Sequence, residues 1–390
     1  MHQAAELQLV LFHDKTFMRT VYLDNAATTQ VFPEVAAEMS RVLLETYGNA
    51  SSTHSFGRHS KNLLELSRKQ IAKLINATAQ EIVFTSGGTE SDNWVIRSAV
   101  KDLKVTRIIT SKIEHHAVLH SVDAVAQEFG VKVDYVRIKP EGSIDISHLR
   151  ELLSENIPTL VTLMHVNNEI GTITDLQEVG QMCRAHKAYF HSDTIQSIGK
   201  VSFNMQELPV DFIVASAHKF HGPKGVGFVY IRKGLQLNPV FFGGEQEKGL
   251  RAGTESIHNI AGMAKALELS YHELDKKIDY VTGLKQYSID QIQRYFPEVK
   301  INGGNTFYNI INVCLPLSVE KTSMILFQLD MKGVAVSRGS ACQSGSTKPS
   351  HVLSEILSTD DLQKPSLRIS FCTFNSTEDI DYLVEVLKSV

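Results

Sequence analysis

From Ile71 onward, short apolar runs rich in β-branched residues alternate with longer stretches in which apolar positions return every three or four residues. The runs at 81–85, 107–110, 132–136, 159–165, 188–192, 212–215 and 227–231 predict strands. They are nearly continuous rather than alternating, the pattern of strands covered on both faces. The stretches at 91–101, 116–129 and 176–186 predict helices between them. Strand–helix–strand repetition implies an α/β fold with a large, mostly parallel mixed sheet between helices. No helix separates the last two strands, only residues 219–225, so these two are expected to run antiparallel. A long helical pattern then runs from Ile260 through Tyr271 and Lys285 toward Phe296-Pro297, as a helix bridging two domains does. Shorter strands at 310–315, 334–337 and 367–371 follow, and a last helix starts at Thr377 with Glu378 and Asp379 in its first turn. These predict a smaller α+β domain.

The 390 residues are enough for two such domains, and 43% hydrophobic with 21% charged residues is ordinary for a globular enzyme. A formal net charge of −4 gives no basic field for nucleic acid or an anionic membrane. No apolar run approaches the roughly 18 residues of a membrane span. Four cysteines at irregular spacing (Cys183, Cys314, Cys342, Cys372) form neither a disulfide framework nor a CxxC metal pattern. A reducing, cytoplasmic setting is expected. The first 17 residues lack the patterning of the rest, and residues 1–20 read as an N-terminal extension, either a genuine arm or a start upstream of the true one.

In Thr85-Ser86-Gly87-Gly88-Thr89-Glu90 a strand ends, two glycines turn the chain and a helix begins. Successive backbone N–H groups there make an anion site, with the Thr89 hydroxyl as a further donor; an ordinary capped turn has the same pattern. Residues 216–225 follow an apolar strand and contain two lysines, Lys219 and Lys224. A lysine among small residues at a strand end is suited to form a Schiff base, and spacing alone does not choose between the two. Asp193 ends another apolar run, where a carboxylate serves either as a helix N-cap or as partner to a protonated ring nitrogen. His115 lies between a strand and a helix, placed to stack on a ring or move protons near neutral pH, although many such histidines are surface residues. The His115–His116 pair does not make a metal site, since adjacent side chains rarely bind one ion together. Cys342 sits in a small, polar stretch, residues 337–346, where a thiol can ionise and attack; Cys314, between Val313 and Leu315, is the buried, inert type.

Taken in order, Tyr22-Leu23-Asp24-Asn25-Ala26-Ala27-Thr28-Thr29, Tyr47-Gly48-Asn49, Ser86-Gly87-Gly88-Thr89-Glu90-Ser91, Met164-His165-Val166-Asn167-Asn168-Glu169-Ile170-Gly171, Ser216-Ala217-His218-Lys219, Arg251-Ala252-Gly253-Thr254 and Ser340-Ala341-Cys342 resemble the cysteine desulfurases. These belong to the class V aminotransferase-like branch of the fold-type I enzymes that use pyridoxal 5'-phosphate (PLP). The resemblance covers nearly the whole chain. It implies PLP on Lys219, with Lys224 structural. It implies Gly88, Thr89, Ser216 and His218 on the cofactor phosphate, Asp193 on the pyridine nitrogen, Gln196 on the ring hydroxyl and His115 stacked on the ring. Asn168 and Arg368 are implied to hold the substrate carboxylate, a task that suits arginine's planar fork. Thr254 is implied to reach the phosphate in the neighbouring subunit, which makes the active unit a homodimer. The implied division is a large PLP-binding domain at 31–271 and a small domain made of 21–30 with 272–390, carrying the cysteine loop at about 337–350.

The implied substrate is L-cysteine. Lys219 takes the Cα proton with help from His115, and the Cys342 thiolate attacks the substrate sulfur, giving L-alanine and a persulfide. The Ser-Ala-Cys segment resembles the subgroup with the longer, mobile loop, which carries sulfur to protein acceptors for iron–sulfur assembly or tRNA thiolation. No metal of its own is implied, though Cys342 could transiently share a cluster. Gly48-Asn49-Ala50 stands where the family usually has Gly-Asn-Pro, a change expected to be tolerated. Members that dock a scaffold through the C-terminus usually continue past the last helix; this sequence ends at Val390, so docking of that kind is not implied. A selenocysteine lyase, a class V aminotransferase in which Cys342 is incidental, and an activator-dependent sulfur-relay component share much of the same residue set.

Overall fold

The structure, a computed structural model, describes residues 19–339 and 349–389; Cys342 lies outside the described residues. Twelve strands are present among them: β1 (Val21–Tyr22), β2 (Ile82–Thr85), β3 (Arg107–Ser111), β4 (Lys132–Val136), β5 (Thr159–Thr162), β6 (Tyr189–Asp193), β7 (Phe212–Ser216), β8 (Gly227–Ile231), β9 (Lys300–Asn302), β10 (Ile310–Cys314), β11 (Val334–Ala335) and β12 (Ser366–Ser370). The runs read as strands between residues 81 and 231 form one seven-stranded sheet in the order β2-β8-β7-β6-β5-β3-β4. Only β8 runs against its neighbours, as the helix-free connection from β7 required. The continuous apolar runs are explained by the two covered faces. Ile82, Phe84, Ile213, Ala215, Phe228 and Tyr230 point into one hydrophobic cluster, while Val83, Phe212, Val214, Val229 and Ile231 point into another with Trp94 and Val95.

The long helical pattern starting near Ile260 is two helices, Ile257–Tyr271 and Leu274–Tyr295, not one. Glu273 breaks it with φ of +51°, a left-handed conformation that a glutamate seldom marks in sequence. Two helices, Pro33–Glu45 and Ser55–Leu74, precede the first run that hydrophobicity revealed. The buried face of Ser55–Leu74 carries Gly57, Ser60, Ser67 and Arg68 beside Leu64, Ile71 and Ala72, so its helical period is written partly in small and polar residues. Beyond Tyr295, β9, β10 and β12 form an antiparallel sheet in the order β12-β10-β9. Its hydrophobic cluster includes Leu284, Ile311, Val313, Leu367, Ile369 and Leu383, and it also takes in Val21 and Leu23 from the start of the described chain. There β1 pairs in parallel with β11. No helix among the described residues is long and apolar enough to cross a membrane.

The edge strand β2 is held by a buried ion pair. Arg68 Nη1 and Nη2 donate to Glu247 Oε2 and Oε1 at 2.6 and 2.7 Å, and the Phe84 N–H donates to the same Oε2 at 2.8 Å. Both side chains are almost entirely enclosed. Removing one partner leaves an uncompensated charge in a low-dielectric setting. Glu247→Ala is therefore expected to lower stability by about 3–5 kcal/mol, read as a fall in the urea unfolding midpoint; an unchanged midpoint would show the pair to be energetically idle.

Candidate active site

Six of the seven strands in the large sheet are parallel, and their carboxyl ends lie along one edge of it. Ligands in such sheets bind outside those ends. Along this edge the chain places Gly87-Gly88-Thr89 after β2, Ser216 at the end of β7 with Lys219 one short turn later, Asp193 at the end of β6, Asn168 beyond β5 and His115 after β3. The register shows why the first two meet. Gly227 of β8 lies opposite both Thr85 and Ser216, so one antiparallel strand joins the two ends.

Gly87 has φ of +148°, a conformation restricted in practice to glycine, and it caps the helix Gly88–Lys101 with no side-chain hydrogen bond. A Cβ at Gly87 would stand 3.4 Å from Ser216 Oγ, in the gap between this turn and β7. A Cβ at Gly88 would strike Ile195 Cδ1 at 2.0 Å. Gly88 thus lets the helix start pack closely on Ile195, and Gly87 leaves space beside Ser216 at a helix N-terminus, where backbone donors and the helix dipole favour an anion.

Lys219 Nζ donates to the carbonyls of Ala26 and Ala27 at 2.7 and 2.8 Å, whereas Lys224 is exposed. His218 Nδ1 meets Thr28 Oγ1 at 3.1 Å, which leaves Nε2 as its remaining polar atom. Gln196 Nε2 donates to the Ala26 carbonyl at 2.8 Å. His115 Nδ1 accepts the Ala117 N–H at 3.2 Å, so its proton resides on Nε2, and burial followed by the Lys219 charge pushes its pKa down to about 4. Asp193 is pushed up to about 6 by burial, against the opposing pull of the Ile195 N–H and the Lys219 charge. Behind it Asp92 is fully enclosed, 3.4 Å from His191 Nε2, and burial with the charges of Asp193 and Glu114 raises its pKa well above the carboxylate range. Two acids this close in a dry interior do not both ionise; Asp92 keeps its proton and Asp193 carries the charge, because only Asp193 has a donor and a cation beside it.

Residues 21–383 match the aminotransferase class-V family. The chain belongs to that family. It is 42% identical over 374 residues to cysteine desulfurase IscS of Dictyoglomus turgidum, covering 95% of this chain and 94% of the relative. It is 39% identical over 375 residues to cysteine desulfurase IscS of Methanosarcina thermophila, covering 95% and 92%. Among solved structures, a NifS-like protein superposes with a TM-score of 0.87 at 33% identity, covering 95% of this chain and all of that one. SspA in complex with cysteine superposes with a TM-score of 0.78 at 31% identity, covering 90% and 99%.

Class-V enzymes of this kind use PLP. The donor set on this edge suits that molecule: a helix N-terminus with space beside Gly87 for a phosphate, a buried carboxylate for a ring cation, and a lysine amine on the same sheet edge. Several contacts at the site escaped the sequence reading, which assigned no role to Asp24, Asp92, Glu114 or Lys200. Lys200 is buried, its Nζ lies 3.4 Å from Gln196 Oε1, and burial pushes its pKa down to about 7. Only the Tyr22–Thr29 motif offered a signal for Asp24; Asp92 lies within a helix, and Glu114 and Lys200 lie in connections that no local pattern marks.

Glu114, beside His115, accepts from Ser111 Oγ at 2.7 Å and from the Met164 N–H at 2.9 Å, and burial raises its pKa to about 8. A carboxyl raised on folding contributes stability at low pH that is lost as pH climbs from its unfolded value near 4.5 through about 8. Glu114→Gln, which copies the neutral acid, is expected to make the decline in thermal midpoint between pH 5 and about 8 shallower than in wild type. Parallel curves would contradict the assignment.

Proposed function

We propose that this protein is a PLP-dependent cysteine desulfurase that converts L-cysteine to L-alanine and receives the sulfur as a persulfide on Cys342. The reading is carried by near-full-length likeness to cysteine desulfurases together with the convergence of Lys219, Asp193, His115 and the Gly87-Gly88 turn on one sheet edge. Gly88, Thr89, Ser216 and the free Nε2 of His218 hold the phosphate. Asp193 would pair with the ring nitrogen, His115 would lie against the ring, and Gln196, with one Nε2 hydrogen already on Ala26, would offer the other to the ring hydroxyl. PLP bound there supplies an electron sink for the charge left when Cα is deprotonated.

The chain's own groups do the rest. Lys219, aimed by the Ala26 and Ala27 carbonyls, takes the Cα proton. His115 moves protons at Nε2, and its low pKa keeps the ring neutral at physiological pH. Asn168 and Arg368 receive the substrate carboxylate; Arg368 Nε is enclosed and has no hydrogen-bond partner among the described residues, so a donor remains for it. The Cys342 thiolate attacks the substrate sulfur, forming an S–S bond as the Cβ–S bond breaks. The stretch that contains Cys342 departs after Gly339 and rejoins at Pro349, close to these groups: Ser337 Oγ donates to Asp24, the ion-pair partner of Arg368, and Ser350 Oγ donates to Glu169, next to Asn168. Protein acceptors for iron–sulfur assembly or tRNA thiolation would take the sulfur onward. The free thiols Cys183, Cys314 and Cys372 suit a reducing cytoplasm.

The working unit is a homodimer. Thr254 is exposed on the single chain, Arg251 beside it is fixed by Glu90 at 2.9 Å, and Phe242 nearby in sequence is 84% exposed. Mixed dimers of Lys219→Ala with Thr254→Val contain one intact site, so activity is expected to reappear when the two inactive or weakened proteins are exchanged; no recovery would place Thr254 elsewhere.

Lys219→Ala is expected to lose the visible absorbance of the PLP-loaded protein. Cys342→Ala is expected to lose turnover on cysteine, and mass spectrometry of wild type after cysteine should find one added sulfur on the Cys342 peptide. Undiminished turnover by Cys342→Ala would sink the mechanism, as would a keto acid in place of alanine.

A further inference from the structure

Arg368 lies in the middle of β12, opposite Asn312 of β10, and is 1% exposed. A guanidinium that deep has five N–H donors to satisfy in a fixed plane. Nη1 donates to the Asn168 carbonyl at 2.8 Å and Nη2 to Asp24 Oδ1 at 2.6 Å, which leaves one hydrogen on each of them and Nε, which has no partner among the described residues. The second oxygen of Asp24 is also engaged: Ser337 Oγ donates to Oδ2 at 2.8 Å. Ser337 is in turn fixed to β12, since the Arg368 N–H donates to its carbonyl at 2.6 Å. The Asp24 carboxylate therefore has no freedom to leave the arginine.

The backbone of Asp24 does something different. Its carbonyl accepts the Ala27 N–H at 2.9 Å, closing the turn whose next two carbonyls, of Ala26 and Ala27, hold Lys219 Nζ. One residue thus touches the arginine with its side chain and shapes the lysine's seat with its main chain. An amino acid presents its amine and carboxylate from a single carbon, so the groups that receive them must keep a fixed separation.

We propose that Asp24 is the positioning residue that sets this separation, locking the Arg368 guanidinium so that Nε and the remaining hydrogens face the carboxylate of an α-amino acid. This rests on the reading of Arg368 as the carboxylate receptor and deepens it. Charge alone argues in the opposite direction, because removing Asp24 leaves Arg368 uncompensated and would strengthen its attraction for any anion. Orientation and charge therefore predict opposite signs.

The test is titration of the PLP-loaded enzyme, followed by visible absorbance, with L-alanine and with ethylamine, which lacks the carboxylate. Asp24→Ala is expected to weaken L-alanine binding by about tenfold or more, the scale of a lost charge-assisted hydrogen bond, with ethylamine nearly unchanged. KM for cysteine should rise by more than kcat falls. Asp24→Asn, which keeps the shape and the Ser337 contact, should show a smaller selective loss and serves if the alanine variant does not fold. Equal losses for both ligands, no loss, or tighter L-alanine binding would each overturn the proposal. Arg368→Lys in the same titration separates the two claims: if it leaves the preference for L-alanine intact, the reading of Arg368 fails and the proposal with it. If it abolishes the preference while Asp24→Ala does not, only the proposal fails.

Discussion

The ammonium of Lys219 rests on the carbonyls of Ala26 and Ala27, and through that contact the two sheets become one site. The lysine belongs to the large sheet, one turn past β7. The carbonyls belong to a segment anchored on the small one, where Asn25 Nδ2 donates to the Ser370 carbonyl at 2.8 Å and the Ala26 N–H donates to Ser370 Oγ at 2.8 Å. The same segment returns to the large sheet when the Thr29 N–H and hydroxyl both donate to the His218 carbonyl at 2.9 Å. Charge-assisted bonds from an ammonium are stronger than neutral ones, so the lysine holds the segment as firmly as the segment aims the lysine.

The electrostatics follow from burial more than from pairing. Asp92, Glu114 and Asp193 are all raised by desolvation, and their proximity allows only one easy ionisation. The protein assigns that charge to Asp193, which alone of the three has a cation, Lys219, beside it in addition to a donor, the Ile195 N–H. An anion kept from water at such cost is a strong partner for a protonated ring nitrogen. The neutral histidines nearby add no competing positive charge.

Much of this was legible in the residue order. Strands covered on both faces announce themselves as unbroken apolar runs, and Gly87 marks a turn because only glycine takes its backbone conformation. Lys219 and Lys224 were equivalent by spacing, since what separates them is a turn made of residues 24–29, far away in the chain. The ion pair of Asp24 with Arg368 spans 344 positions and leaves no local trace. The break at Glu273 was hidden because the apolar period continues across it, and neither glycine nor proline flags the left-handed residue. Helix Ser55–Leu74 was missed because its buried face is partly small and polar, with Arg68 neutralised by a glutamate 179 positions away.

The pairing of the first described strand with late ones has a consequence for biosynthesis. Residues 24–29 leave the ribosome early, but their seat on Ser370 and the pairing of β1 with β11 await chain made more than 300 positions later. Contacts so distant in sequence are slow to form, because a long loop must close before any bond rewards it. A nascent chain can therefore complete its large sheet, lysine included, while the carbonyls that aim that lysine are still unplaced. The turn that seats Lys219 is therefore fixed in a late step, after β12 has been made, so truncated products of translation lack the contact that joins the two sheets.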